Sequence, residues 1–310
     1  MKMTINESNT FWRLKGIAVF TIFFAHIPYQ GANVVMLYLY NYLGIVGVPV
    51  FLLLSGLFEY ESKTPWISKL KNLFYPLLIW GTLAYLPELI ISKMISGREI
   101  IVGYLKWLYG CGTWLYFVPV LLWCKVFCKS DKTWALLLLT FLSIVSIILT
   151  QFSVIPYNDF FTKYTNPFNF LIYYICGILI RKYRVNYRRP SYLAISIFLL
   201  CGVISVWNVL PSYFNMWCIP FSLAAFVLLY NLARVTRFGV EIGKMSYVIY
   251  LTHMIPLGIL IQHLQVFSGT PLQIVRVPIA FAIITFAVWA LKQILNIFRI
   301  QNIGRLIGYR

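Results

Sequence analysis

The sequence predicts an all-α protein: a polytopic membrane helix bundle of about ten transmembrane helices with both termini cytoplasmic. Three observations lead there. Of 310 residues, 61% are hydrophobic and 11% charged, with mean hydropathy +0.80, against about 25% charged for a soluble domain. Apolar runs near the ~20 residues needed to cross a bilayer recur along the whole chain. Lysines and arginines cluster between those runs on alternate sides, as the positive-inside rule requires. The net charge of +18 is thus a topology signal, and nucleic-acid binding is set aside because no basic stripe gathers on one soluble element.

The expected spans are 11–29, 36–58, 75–94, 114–128, 134–151, 167–181, 191–209, 216–234, 245–266 and 273–297. Gly44, Gly47, Pro49 and Gly56 fall inside the second, so a kinked or locally unwound helix is expected there. With the N-terminus inside, 21 of the 26 basic residues are cytoplasmic and five (Lys93, Arg98, Lys106, Lys163 and Arg276) lie opposite. An odd number of spans destroys that asymmetry. The organisation that follows is a cytoplasmic tail over 1–10, a membrane domain over 11–297 and a basic cytoplasmic tail over 298–310. The first apolar run lacks a small-residue cleavage site and reads as an uncleaved span. No loop exceeds about twenty residues, so no soluble catalytic module is expected. The six cysteines lack the histidine spacing of a metal site, and Cys124 with Cys128 reads as packing. No metal is expected.

Function must then reside in polar groups within the spans, which are costly and face protein or a watery cavity. In KGIAVFTIFFAH, His26 follows Lys15 by eleven residues, roughly 16 Å along a helix and within about 20° of the same face. Lys15 reaches the cytoplasmic headgroups while His26 sits deep; Arg13 points elsewhere. Glu88 is roughly 18 Å past Pro76, and His253 roughly 14 Å past Lys244. Three ionisable groups from three spans share one depth, and a carboxylate orienting an imidazole makes a stronger base. Each also has a purely structural reading. The histidines can bond between helices, Glu88 can satisfy backbone freed by Pro87, Ser55 can bond the i−4 carbonyl, and Gly56 can permit close helix packing.

Four stretches in order carry a resemblance to the membrane acyltransferase-3 family: KGIAVFTIFFAH, GVPVFLLLSGLF, TWLYFVPVLLW and IGKMSYVIYLTHMI. The first resembles the family's signature of a basic residue eleven before a histidine. The resemblance spans about residues 11–297 and implies O-acyl transfer, commonly of acetyl from acetyl-CoA or another acyl-CoA. The implied acceptor is a hydroxyl of a glycan or lipid-linked sugar, in a bacterial-type plasma membrane. His26 is then the base or a covalent acyl carrier, oriented by Glu88. Lys15, Arg13, Lys69 and Lys71 would hold the polyanionic end of the donor. Tyr116 or Ser55 would hydrogen-bond the carbonyl, and His253 is left as a substrate or structural residue. Two departures stand out. Lys15 takes the usual arginine position, giving a point charge in place of a bidentate fork, and SKLKNLFYP lacks the family's Arg-x-x-Arg. The extracytoplasmic domain of longer members has no counterpart in these 310 residues. A transporter or flippase of a lipid-linked sugar is the alternative, since it too keeps polar groups near the midplane. A glycan polymerase fits less well for want of a large outward loop.

Overall fold

The computed structural model describes residues 5–309 except 28, 30–32, 61, 63, 93–95, 131, 188–191, 208–213, 238 and 268–269. Lys2, Lys63, Lys93, Arg188, Arg189 and Arg310, used above for topology, lie outside the described residues. Those described form helices and connecting turns, with no strand among them. In order the helices are α1 (Ile5–His26), α2 (Val34–Glu59), α3 (Trp66–Ser92), α4 (Gly97–Tyr109), α5 (Phe117–Phe127), α6 (Thr133–Gln151) and α7 (Phe168–Lys182). Then come α8 (Tyr192–Trp207), α9 (Cys218–Val235), α10 (Val240–Thr252), α11 (Met254–Leu264), α12 (Arg276–Ile297) and α13 (Gln301–Leu306).

α1 lies at the centre, packed by α2, α9, α10 and α12. Leu14, Ala18, Val19 and Phe23 on it are buried. Glycine brings its neighbours to backbone distance. A Cβ at Gly47 of α2 would stand 2.7 Å from the Ala18 carbonyl oxygen, and one at Gly243 of α10 would collide with the Trp12 carbonyl. The α2–α7 contact is reciprocal: a Cβ at Gly56 would strike the Tyr174 carbonyl, and one at Gly177 the Leu53 carbonyl. Gly56 therefore has the packing role allowed for it. α2 itself runs as continuous helix through Gly44, Gly47, Pro49 and Gly56, so the expected unwinding does not occur. These glycines serve approach to neighbouring helices, and the chain has no need to open.

Among the described residues, five helices are long and apolar enough to cross a membrane: Leu39–Glu59, Trp66–Ile90, Thr133–Gln151, Cys218–Val235 and Gln273–Ile297. Two bent pairs raise the number to seven: Gly97–Tyr109 with Trp114–Phe127, at 59°, and Val240–Thr252 with Met254–Phe267, at 82°. The remaining expected positions are filled by α1, α7 and α8. α1 carries Glu7, Arg13 and Lys15, and α7 has only 15 residues, most of them buried. α8 is apolar but only 16 residues long, with Leu193, Leu199 and Leu200 exposed. α1 and α7 are packed by other helices and lack the continuous apolar surface of a lipid-facing span. By contrast Leu137, Leu138 and Phe141 on α6, and Phe286 and Trp289 on α12, are exposed, as a lipid boundary requires.

Two expectations change. The span expected at 245–266 is broken at His253. The segment before 114, read as a loop, contains α4, started by a Ser96/Glu99 capping box and ended by Gly110 at φ 86°. Helix also reaches into both stretches named as tails. α1 begins at Ile5, with Glu7 3.7 Å from Arg181. At the other end Trp80 donates to the Ile307 carbonyl (2.9 Å) and the Tyr309 hydroxyl to that of Val288 (2.7 Å), docking the chain end on α3 and α12.

Candidate active site

His26 is the last residue of α1 and half-buried, in the wall of a 480 Å³ cavity. Opposite it lie Trp107 from α4, Trp114 and Tyr116 from the 3-10 turn Trp114–Tyr116, and Tyr250 from α10. The turn is placed by glycine. Gly110 and Gly112 have φ of 86° and 72°, and a Cβ at Gly110 would collide with the Tyr116 backbone. Trp114 Nε1 then donates to the Leu251 carbonyl (3.2 Å), and the Tyr250 hydroxyl donates to the Trp114 carbonyl. These two bonds tie the turn to the end of α10, one turn before the break at His253.

His253 is fully buried, and its ring centroid lies 5.0 Å from that of His26. Its Nδ1 is 2.6 Å from the Tyr250 carbonyl oxygen. A carbonyl only accepts, so Nδ1 carries the proton and Nε2 is a bare acceptor. That Nε2 is buried and has no hydrogen-bond partner among the described residues. His26 and His253, matched in depth along the sequence, are therefore lateral neighbours, with the Phe23 and Trp114 rings around them.

Glu88 is not part of this group. From Leu86 the end of α3 stands clear of the bundle, with Leu86, Pro87, Glu88 and Ile90 all exposed. α4 packs over the preceding turn, where the Tyr85 hydroxyl donates to the Ile100 carbonyl (3.2 Å), and leaves Glu88 beyond it. A count along the helix addresses depth alone; its exposed position separates Glu88 from the His26 cavity. Glu88→Gln is expected to leave any reaction at His26 within about twofold of wild type in kcat/KM, as for a surface substitution. A loss above tenfold would return the carboxylate to the site.

The expected basic mouth divides into separate places. Lys15 and Ser55 line a 70 Å³ cavity with Trp12, Lys244 and Tyr250. The Lys15 ammonium lies 4.4 Å from the Trp12 ring centroid. Tyr250 borders this cavity and the one holding His26, so the shared face of Lys15 and His26 opens on the same ring from two directions. Lys69 is drawn away, 2.5 Å from Glu59, which also pairs with Lys125. Arg13 turns to α9, with Nη1 3.5 Å from the Ala233 carbonyl, and Lys71 is exposed. Tyr116 faces the His26 cavity, its ring 5.3 Å from that of Tyr164.

Trp107, Trp114 and Tyr250 were missed as site residues. Their readable signals were the S-x-x-E capping box that starts α4 and the closely spaced Gly110 and Gly112. The fold and site define a polytopic membrane protein with a histidine pair beside an aromatic cavity. The model of the acyltransferase-3 family, an acyltransferase domain, matches residues 13–292, and the chain belongs to that family. No curated protein and no solved structure matches it.

Proposed function

We propose that this membrane acyltransferase moves an acyl group, acetyl first among them, from acyl-CoA to a hydroxyl of a cell-surface polysaccharide or lipid-linked sugar. Its place is a bacterial-type plasma membrane, with both termini cytoplasmic. The observation that carries the reading is the position of His26, a half-buried imidazole in the wall of a 480 Å³ cavity, within the ~300–1,000 Å³ of small-molecule sites. His26 takes the proton of the acceptor hydroxyl. The oxygen forms a bond to the thioester carbonyl carbon, the C–S bond breaks, and the proton passes from the imidazolium to the departing thiolate. The Tyr116 hydroxyl donates to the carbonyl oxygen as its charge grows. His253 Nε2, unpartnered here and beside His26, would accept from the second ring nitrogen of His26 as the rings close on the bound acceptor and so orient it, the role first given to Glu88. Lys15 attracts the anionic end of the donor, and the acyl-bearing arm passes Tyr250 to reach His26.

Lys15→Ala is expected to raise KM for acyl-CoA about tenfold with kcat little changed, because a contact made equally in ground and transition states is lost. An unchanged KM removes Lys15 from the donor site. The reading as a whole is tested with the purified full chain, acetyl-CoA and a lipid-linked sugar or glycan fraction. Free CoA thiol and a hydroxylamine-labile ester are expected together, with succinyl-CoA as the next donor. Movement of the sugar lipid with neither product from any acyl-CoA would support the flippase instead.

A further inference from the structure

Arg276 begins α12 and is 1% exposed, yet its Nε and Nη1 make no hydrogen bond among the described residues. No described carboxylate faces it. Glu7 is with Arg181, Glu59 with Lys69 and Lys125, Asp159 with Lys106, and Glu241 with Lys244 and Lys292. Glu99 closes its capping box and Glu88 is exposed on α3; Glu61 and Asp131 lie outside the described residues. A guanidinium does not lose its proton to escape burial. A buried cation with orphaned donors is stable only with an anion opposite it.

The neighbourhood is polar and lies at the His26 end of the bundle. The Tyr40 hydroxyl, buried, donates to the carbonyls of Gln273 (3.3 Å) and Ile274 (3.2 Å), just before Arg276. The Tyr40 ring packs on Phe24 of α1 (4.9 Å) and on Tyr29 (5.4 Å), on either side of His26 in the chain. Arg276 does not line the His26 cavity. We propose that Arg276 is the centre of a separate anion site that takes a phosphate group, held by the guanidinium fork. Its sources are a lipid headgroup at the membrane surface or free phosphate. Resting on the function proposed above, a sugar-lipid phosphate held here would anchor the acceptor beside His26. The binding itself does not depend on acyl transfer.

The test uses the full chain in neutral detergent, titrated with inorganic pyrophosphate. In parallel the chain is placed in nanodiscs of phosphatidylglycerol or of phosphatidylcholine. The expected result is a saturable rise in Tm, with affinity about ten- to hundredfold weaker in Arg276→Gln. Arg299→Gln, which removes an exposed charge elsewhere, should behave as wild type. A rise with pyrophosphate identifies free phosphate as a ligand; a rise only in phosphatidylglycerol identifies the headgroup. Should Arg276→Gln fail to fold, hydrogen exchange on the wild type decides, with slowing expected in peptides over 36–45 and 271–285. No rise with any probe, an equal rise in Arg276→Gln, or slowing confined to other basic segments would overturn the site. Because these readouts are binding alone, an inactive acyltransferase would leave the anion site standing, and the reverse.

Discussion

His26→Gln is expected to lower acyl transfer by about 10²–10⁴-fold, the usual contribution of a general base, while the protein still inserts and folds. Glutamine keeps similar bulk and a hydrogen-bonding end but cannot accept a proton near neutral pH. The fold does not lean on the imidazole. His26 makes no hydrogen bond among the described residues, and the α1 packing that surrounds the centre comes from Leu14, Ala18, Val19 and Phe23. The loss should therefore fall on kcat, with KM for acyl-CoA close to wild type, because the donor contact proposed for Lys15 is left intact. The measurement is a paired one, ester formed per minute and Tm in detergent on the same preparation. A rate within threefold of wild type removes His26 as the base. A Tm drop that parallels the lost rate makes the residue structural.

The largest effect on stability is expected from Gly177→Val. α2 and α7 meet backbone to backbone, where a Cβ at Gly177 would collide with the Leu53 carbonyl and stand 2.8 Å from the Leu57 nitrogen. No side-chain rotation relieves a clash with backbone, so the helices must separate along their length. Overpacking in a dense interior costs about 1–3 kcal/mol where side chains can yield, and more is expected here because they cannot. Small residues at such a crossing also supply the van der Waals contact that holds membrane helices together. Detergent-solubilised Gly177→Val should lose most of its monodisperse peak on gel filtration and melt at lower temperature. Gly97→Ala is the matched control, since a Cβ there meets nothing within 4 Å. A Gly177→Val protein with wild-type elution and Tm would contradict the close α2–α7 contact.

Helical periodicity and rise made part of this site readable in advance. Lys15 and His26 were placed on one face by eleven residues of helix, and each borders a cavity that Tyr250 shares. His253 was matched to His26 in depth, and the rings are neighbours. Depth follows from residues along one helix, whereas lateral position depends on which helices pack, and Glu88 shows the difference. The 82° break at His253 was hidden because the apolar run continues past it, and Pro256 and Gly258, which follow, are weak markers inside a span. α4 was hidden by its polar start, although its capping box was legible. Arg276 was counted only as a charge on the side opposite the cytoplasm, because burial of a single side chain leaves no trace in hydropathy.

The most direct test of the central claim is transfer of label from acyl-CoA in inverted membrane vesicles holding the wild type or His26→Gln. Label is expected in lipid or glycan, with free CoA released in step, from wild-type vesicles only. Equal labelling by both proteins, or no label from wild type with acetyl-CoA and succinyl-CoA alike, would contradict it.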